Sequence, residues 1–120
     1  VAQSIPPLEP LGEATGDLLV VGWGSTQGAI TAALRRLHAD GKKVSAVFLR
    51  HLHPFAPNLG ELLRGFRKVV IPELNLGQLA MLIRAEFLVD AEPLTKVQGL
   101  PFSTDELVAA FESTLNDLKA

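Results

Sequence analysis

Hydrophobic residues along this chain form short runs that alternate with longer segments of helical spacing. Residues 18–21 are all apolar and residues 44–49 are mostly so, which is typical of strands buried on both faces of a sheet. Residues 68–71 repeat this pattern, and Pro72 predicts the end of that strand. Residues 95–98 give a weaker strand signal. We therefore expect four or five strands, with residues 18–21 at the centre of the sheet.

Four helices are predicted between and after these strands, each beginning near a side chain that can cap it. In chain order the capping candidates are Ser25 or Thr26, Asn58, Asn75, and Ser103 with Glu106 as a capping box. Gly41 suits the left-handed residue that ends the first helix. The third helix is apolar around most of its circumference, so we expect it to be covered on more than one side.

Strands and helices that alternate at this spacing predict an α/β fold. We expect three αβα layers, with a mostly parallel sheet of four or five strands and helices on both faces. The Pro-rich start, residues 1–16, is interpreted as an interdomain linker or an edge segment, and residues 17–120 as one domain. The sequence leaves open whether residues 8–11 add a strand at the edge of the sheet. A start without methionine suggests a piece of a larger protein, the alternative being a processed small protein.

Composition narrows the function classes. The chain has 120 residues, of which 48% are hydrophobic, and a formal net charge of −2, so it lacks the basic excess that general nucleic-acid binding needs. It contains no cysteine, which excludes disulfides, thiolate zinc sites, iron–sulfur ligation and cysteine nucleophiles. Its apolar runs are shorter than the roughly 20 residues that cross a bilayer. We expect a soluble cytoplasmic protein without membrane or nucleic-acid partners.

A glycine-rich turn follows the first predicted strand, with the sequence GWGSTQG over residues 22–28. Its amides and hydroxyls can hold an anion such as a phosphate, which makes Gly24, Ser25 and Thr26 candidates for cofactor binding. The segment lacks the G-x-G-x-x-G spacing and the Walker lysine. A small CoA- or nucleotide-binding module is therefore one hypothesis, and a tight turn that packs the helix closely on the sheet is the other.

A second polar segment, PELNLGQ, follows the third predicted strand. It places Glu73, Asn75 and Gln78 at the carboxyl end of a parallel strand, where α/β folds commonly bind ligands. Hydrogen bonds to a neighbouring subunit, helix capping by Asn75, and catalysis are the three explanations. We treat the three residues as interface candidates.

Two histidines, His51 and His53, lie in the loop after the second predicted strand, next to Arg50. With one residue between them and no evident third ligand, they do not predict a metal site. They are candidates for contact with an acidic partner or a nucleotide phosphate. Ser25 lacks the G-x-S-x-G elbow of a nucleophile, and we assign no catalytic residue.

Three segments resemble the alpha subunits of 2-oxoacid:ferredoxin oxidoreductases, in particular those that act on 2-oxoglutarate. They are LLVVGWGSTQGAI at residues 18–30, HLHPFAPNLGELL at 51–63, and VVIPELNLGQLAMLIRAEFLVDAEPLTKVQGLPF at 69–102. The PELNLGQL and KVQGLPF portions are more specific than any glycine turn. Together the three segments cover most of the chain.

The resemblance implies an enzyme that depends on thiamine diphosphate, converts a 2-oxoacid to an acyl-CoA and CO2, and reduces ferredoxin through iron–sulfur chemistry. It implies a transketolase C-terminal-like domain here, with the thiamine-binding domains earlier in the alpha subunit and in the beta subunit. The expected partners are the rest of the alpha subunit, the beta subunit and, indirectly, ferredoxin. The chain has no G-D-G and asparagine motif for Mg²⁺ and diphosphate, so we expect it to bind none of these cofactors and to be inactive alone.

The resemblance therefore favours a structural and interface domain of the oxidoreductase, and two other hypotheses stay open beside it. One is the CoA- or nucleotide-binding module, and the other is a free-standing regulatory domain.

Overall fold

Four strands and four helices alternate along the parts of the chain that the computed structural model describes, which are residues 7–23, 26–50, 55–73, 78–95 and 102–119. The strands are β1 (Gly16–Trp23), β2 (Val44–Leu49), β3 (Phe66–Glu73) and β4 (Ala91–Thr95). The helices are α1 (Gln27–Ala39), α2 (Leu59–Arg64), α3 (Gln78–Phe87) and α4 (Thr104–Lys119). The predicted alternation of strand and helix is confirmed.

The strands form one parallel sheet in the order β2-β1-β3-β4. Strand β1 is central, with Leu19 aligned to Ser45 on one side and to Val69 on the other. The chain leaves β1 toward β2 in one direction, and the other half of the sheet extends through β3 in the opposite direction. The direction therefore reverses between the neighbouring strands β1 and β3. Open α/β sheets bind ligands in the crevice outside the carboxyl ends of two such strands.

Two hydrophobic clusters lie on opposite faces of the sheet, because successive residues of a strand point to opposite sides. Leu18 and Val20 of β1 pack with α1 and α4, whereas Leu19 and Val21 pack with α2 and α3. All four side chains are fully buried. This arrangement confirms the predicted three-layer αβα architecture and explains why residues 18–21 are apolar without alternation.

Strand β3 does not end at Pro72, as the sequence predicted, but continues to Glu73. Its pairing with β1 extends only to Val70, and Pro72 is aligned with Leu94 of β4. A residue without an N–H is tolerated there because this end of β3 is paired with β4 and has passed the last residue paired with β1.

The fourth strand also differs from its prediction. It spans Ala91–Thr95, whereas the sequence pattern favoured residues 95–98, of which 96–98 lie outside the described residues. Pro93 lies within β4 and is aligned with Ile71. Sequence reasoning treats a proline as a strand breaker, yet β4 pairs with β3 alone among the described residues, and edge strands accept proline.

The described part of the segment before β1 contacts the outer edge of β2. Leu11 and Ala46 form an isolated antiparallel bridge, with N–O distances of 2.7 Å and 3.0 Å. Residues 8–11 thus contribute this single bridge and not the added edge strand that the sequence left open. The division of the chain into residues 1–16 and 17–120 stays a prediction.

The ends of two helices follow the sequence signals. Gly41 has a φ of 80° just after α1, and Ser103 and Glu106 exchange the two hydrogen bonds of a capping box, at 3.1 Å and 2.9 Å. Among the described residues, no helix is both long enough and apolar enough to span a bilayer.

Candidate functional site at the carboxyl edge of the sheet

The carboxyl ends of β1 and β3 lie side by side and form the crevice that the topology favours for ligands. Three of the candidates from the sequence are described there: Thr26 just after β1, Glu73 at the end of β3, and Gln78 at the start of α3. The candidates outside the described residues are Gly24, Ser25, His51, His53 and Asn75.

The hydroxyl group of Thr26 is engaged by the turn itself. It accepts a hydrogen bond from the Trp23 N–H at 3.3 Å and donates one to the Trp23 carbonyl at 3.1 Å. Thr26, one of the two predicted caps, occupies the N-cap position of α1 but makes no side-chain bond to the helix. The other, Ser25, lies outside the described residues. Because the Thr26 hydroxyl donates its single hydrogen to Trp23, it has no free donor for a phosphate.

Gly22 is needed for close packing of the end of β1. A Cβ atom at this position would lie 2.7 Å from Cδ1 of Phe48 and 2.9 Å from Cδ1 of Ile30, which is closer than carbon atoms approach without displacement. Gly28, by contrast, has no neighbour within 4 Å of an added Cβ. The close packing at Gly22 favours the interpretation of residues 22–28 as a packing turn over their interpretation as a ligand site.

The Glu73 carboxylate binds the beginning of α3. Its Oε1 accepts a hydrogen bond from the Leu79 N–H at 2.8 Å, and its Oε2 accepts one from the Ala80 N–H at 3.2 Å. These amides have no partner within the helix, and the helix dipole favours a negative charge beside them. Sequence reasoning assigned capping to Asn75 and missed this role of Glu73, because Glu73 lies before the cap and first-turn positions where local sequence signals place such residues.

Gln78 is the first residue of α3 and its side chain is exposed. The interface role predicted for Gln78 and Glu73 stays a prediction, and Glu73 would have to make further contacts while both of its oxygens bind α3.

The outward side of α3 carries large apolar residues that are exposed among polar ones. Leu79, Ala80 and Ile83 are buried against the sheet, whereas Met81 is 66% exposed and Leu82 is 41% exposed. The expectation that α3 is covered on more than one side is therefore not met within the described part of the chain. Large exposed apolar patches mark interaction surfaces in many proteins.

A thiamine diphosphate and Mg²⁺ site does not fit the described residues. The charged group at the crevice is the Glu73 carboxylate, which would repel a diphosphate, and the Thr26 hydroxyl is already engaged. Among the described ranges, no three His, Asp or Glu side chains gather as metal ligands would. We derive no chemical step through these cofactors.

A cavity of about 630 Å³ lies at the opposite edge of the sheet and was not anticipated from the sequence. Its charged lining is mixed, with Glu13 and Asp17 on one side and Lys42 and Lys43 on the other. Lys42 forms an ion pair with Glu112, and Asp17 lies 3.7 Å from Arg67. With both signs of charge present and partly neutralised, this cavity selects no ligand class.

Comparison with curated proteins gives relatives of one kind, while no family model matches. The chain is 51% identical over 105 residues to 2-oxoglutarate oxidoreductase subunit KorA of Mycobacterium tuberculosis. It is 35% identical over 107 residues to 2-oxoacid:ferredoxin oxidoreductase 2, subunit alpha, of Aeropyrum pernix. The matches cover 86% and 87% of this chain but only 16% and 17% of the two relatives.

Solved structures agree with the sequence relatives. A 2-oxoglutarate:ferredoxin oxidoreductase from Magnetococcus marinus, with 2-oxoglutarate, coenzyme A and succinyl-CoA bound, matches with a TM-score of 0.85 at 34% identity, over 92% of this chain and 20% of that chain. The alpha chain of a probable 2-oxoacid ferredoxin oxidoreductase from Thermoplasma acidophilum matches with a TM-score of 0.63 at 25% identity, over 92% of this chain and 97% of that chain. A split-gene transketolase, in the form of an inactive tetramer of four beta chains, matches with a TM-score of 0.64 at 25% identity, over 91% of this chain and 41% of that chain.

Proposed function

Because this chain is homologous over most of its length to the alpha subunits of 2-oxoacid:ferredoxin oxidoreductases, of which it spans 16% and 17% in the curated relatives, we propose that it is a structural and interface domain of such a subunit. It is the C-terminal, transketolase-like domain in this proposal. Its partners are the remainder of the alpha subunit and the beta subunit, with ferredoxin as a partner of the assembly.

The reaction of the assembly is the oxidative decarboxylation of a 2-oxoacid to an acyl-CoA and CO2, with ferredoxin as the electron acceptor. The M. tuberculosis relative is a 2-oxoglutarate oxidoreductase subunit and the Magnetococcus marinus enzyme contains 2-oxoglutarate, which favours 2-oxoglutarate as the 2-oxoacid. The coenzyme A and succinyl-CoA bound to the latter favour coenzyme A as the acyl acceptor. Thiamine diphosphate, Mg²⁺ and an iron–sulfur cluster belong to other parts of the assembly. A cytoplasmic location is also part of the proposal.

The observation that carries a structural role is the internal use of two of the three described polar candidates at the crevice. Thr26 is bound to Trp23, and Glu73 is bound to Leu79 and Ala80. A binding site normally directs such groups toward the ligand, whereas here they stabilise the turn after β1 and the start of α3. The domain therefore contributes shape and contact surface.

The test begins with the complete alpha subunit that carries this chain, tagged and co-expressed with its beta subunit. We expect the two subunits to co-purify and to reduce ferredoxin when 2-oxoglutarate and coenzyme A are both supplied, with pyruvate as the comparison substrate. Failure of the subunits to associate, or reduction that does not depend on any 2-oxoacid, would refute the proposal.

A second candidate function, a CoA- or nucleotide-binding module at residues 22–28, has one observation in its favour. The first turn of α1 contains no acidic residue, and its N-cap residue makes no side-chain bond to the helix amides. Among the described residues, the positive end of α1 therefore lacks the counter-charge that Glu73 gives to α3. In the complete enzyme, Thr26→Val distinguishes the two functions. A structural role leaves the KM for coenzyme A unchanged, whereas a phosphate contact by Thr26 raises it.

A further inference from the structure

We propose that residues 8–13 form a latch that opens as one unit while the rest of the fold stays intact, and that its opening uncovers the outer edge of β2 together with one wall of the cavity opposite the crevice. The closed latch runs antiparallel to β2, from Asn58 just before α2 to Ser45 near the start of β2. It is made by contacts within the chain and does not depend on the proposed function.

Two pairs of hydrogen bonds hold the first part of the latch. At its beginning, the Asn58 side chain bonds both backbone groups of Leu8, at 2.8 Å each. Three residues later, Leu11 and Ala46 exchange backbone bonds of 2.7 Å and 3.0 Å. The latch is therefore fixed at separate points and not by a continuous strand ladder.

The last part of the latch is fixed beside Gly12. Ser45 is only 4% exposed, and its hydroxyl donates to the Glu13 carbonyl at 2.7 Å. Gly12 has a φ of 108°, which favours glycine, and a Cβ atom there would lie 2.8 Å from Oγ of Ser45. The latch can close over Ser45 because this residue has no side chain.

Little apolar surface holds the latch down. Leu8 is partly buried against the hydrophobic cluster on the α2 face, whereas Leu11 is 38% exposed and residues 12–15, which lead to β1, are exposed as well. The two clusters that join the sheet to its helices otherwise consist of residues outside the latch. Segments with few buried apolar contacts open at a lower free energy than a packed core. Release of the latch therefore leaves the sheet packed.

Opening changes two surfaces together. The Ala46 N–H and carbonyl lose their partners and become able to pair with another extended chain. Gly12 and Glu13 line the cavity of about 630 Å³ beside Ser45, so their departure opens that cavity on one side. Because the latch spans the length of β2, its displacement at Asn58 reaches the cavity as well. The latch thus couples the start of α2 to the amino edge of the sheet.

Native-state hydrogen exchange of the chain, measured by NMR at urea concentrations below the unfolding transition, tests the latch. The Leu8, Leu11 and Ala46 amides donate hydrogen bonds within it, while the amide of Leu19, in the central strand, reports global unfolding. After correction for intrinsic rates, we expect the three latch amides to exchange at least about ten-fold faster than Leu19. Their exchange should also depend less on urea, because local opening exposes little surface.

Substitutions at the two ends test whether the latch opens as one unit. Gly12→Ala should raise the exchange rate of the distant Leu8 amide at least about ten-fold, because the closed latch has no room for the added Cβ. Asn58→Ala should raise that of the Ala46 amide by a similar factor, although its side chain bonds the other end of the latch. Gly28→Ala, whose added Cβ has no neighbour within 4 Å, is the matched control and should leave both rates unchanged.

A rise at the far end of the latch in both variants supports the proposal. Latch amides that share the rate and the urea dependence of Leu19 in the unsubstituted chain would overturn it, because release would then require global unfolding. This comparison decides the point even where a variant does not fold. A rise confined to the substituted end would also overturn it, since the anchors would then open separately. The proposed function is tested apart from this, by association with the beta subunit and reduction of ferredoxin.

Discussion

The side-chain amide of Asn58 pairs with both backbone groups of Leu8, 50 residues away along the chain. Its Oδ1 accepts from the Leu8 N–H and its Nδ2 donates to the Leu8 carbonyl, both at 2.8 Å. Asn58 also occupies the N-cap position of α2, where it makes no side-chain bond to the helix. The residue therefore ties the segment before β1 to the face of the sheet that carries α2.

We expect Asn58→Ala to lower the free energy of unfolding by about 2 kcal/mol, since two hydrogen bonds of about 1 kcal/mol each are lost. Urea unfolding of the chain measures the change. Asn116→Ala, at an exposed position of α4, is the matched control and should change stability by less than about 0.5 kcal/mol. Equal effects of the two substitutions would show that the bonds to Leu8 contribute nothing.

The sequence predicted the elements best where the physical signal is local. Strand β2 has the predicted bounds of 44–49, and β1 and β3 contain the predicted runs, because continuous burial requires continuous apolar sequence. Strand β4 was displaced because Pro93 obscures an edge strand.

Side-chain partners were predicted less well than elements. The N-cap positions of α1 and α2 are occupied by Thr26, one of two residues that the sequence offered, and by Asn58. The predicted capping by the Asn58 side chain is wrong, because that side chain bonds Leu8, just as the Thr26 hydroxyl bonds Trp23. Such partners depend on tertiary structure, which a local pattern does not contain. The sequence did place Glu73 at the carboxyl edge of the sheet, but not its bonds to the amides of α3.

Gly22 and Gly28 provide a pair of opposite predictions within one turn. Gly22→Ala should destabilise the chain by about 1–3 kcal/mol, because the added methyl group overlaps Phe48 and Ile30. Gly28→Ala should stabilise it by about 0.5–1 kcal/mol, because alanine favours the helix and meets no neighbour. Thermal unfolding of both variants checks the signs. A neutral Gly22→Ala variant would mean that close packing does not explain this glycine.

Glu73→Ala should lower the free energy of unfolding by about 1–2 kcal/mol, since the first amides of α3 lose their acceptors and the helix dipole loses its counter-charge. Glu73→Gln retains one acceptor oxygen and should lose less. Glu86→Gln, at an exposed position in the same helix, serves as the control for removal of a charge. Chemical denaturation compares the three, and a loss for Glu86→Gln equal to that for Glu73→Ala would contradict the capping role.

Leu88→Gly should raise the stability of the chain by about 0.5–1 kcal/mol, because glycine accepts the φ of 57° without strain. Leu88→Ala retains a Cβ and the strain, and is expected to be close to neutral at an exposed position. Differential scanning calorimetry resolves the two. A Leu88→Gly variant less stable than Leu88→Ala would show that the left-handed backbone does not strain this residue.

The two outer edges of the sheet are protected in different ways. The edge of β2 is crossed by Leu11, which bonds both backbone groups of Ala46, and the strand at the other edge contains Pro93, which has no amide hydrogen to offer. Foreign strands attach to sheets through free backbone donors and acceptors. The fold therefore discourages amyloid-like growth at both ends of the sheet, and it leaves helical faces and loops as the surfaces open to other polypeptides.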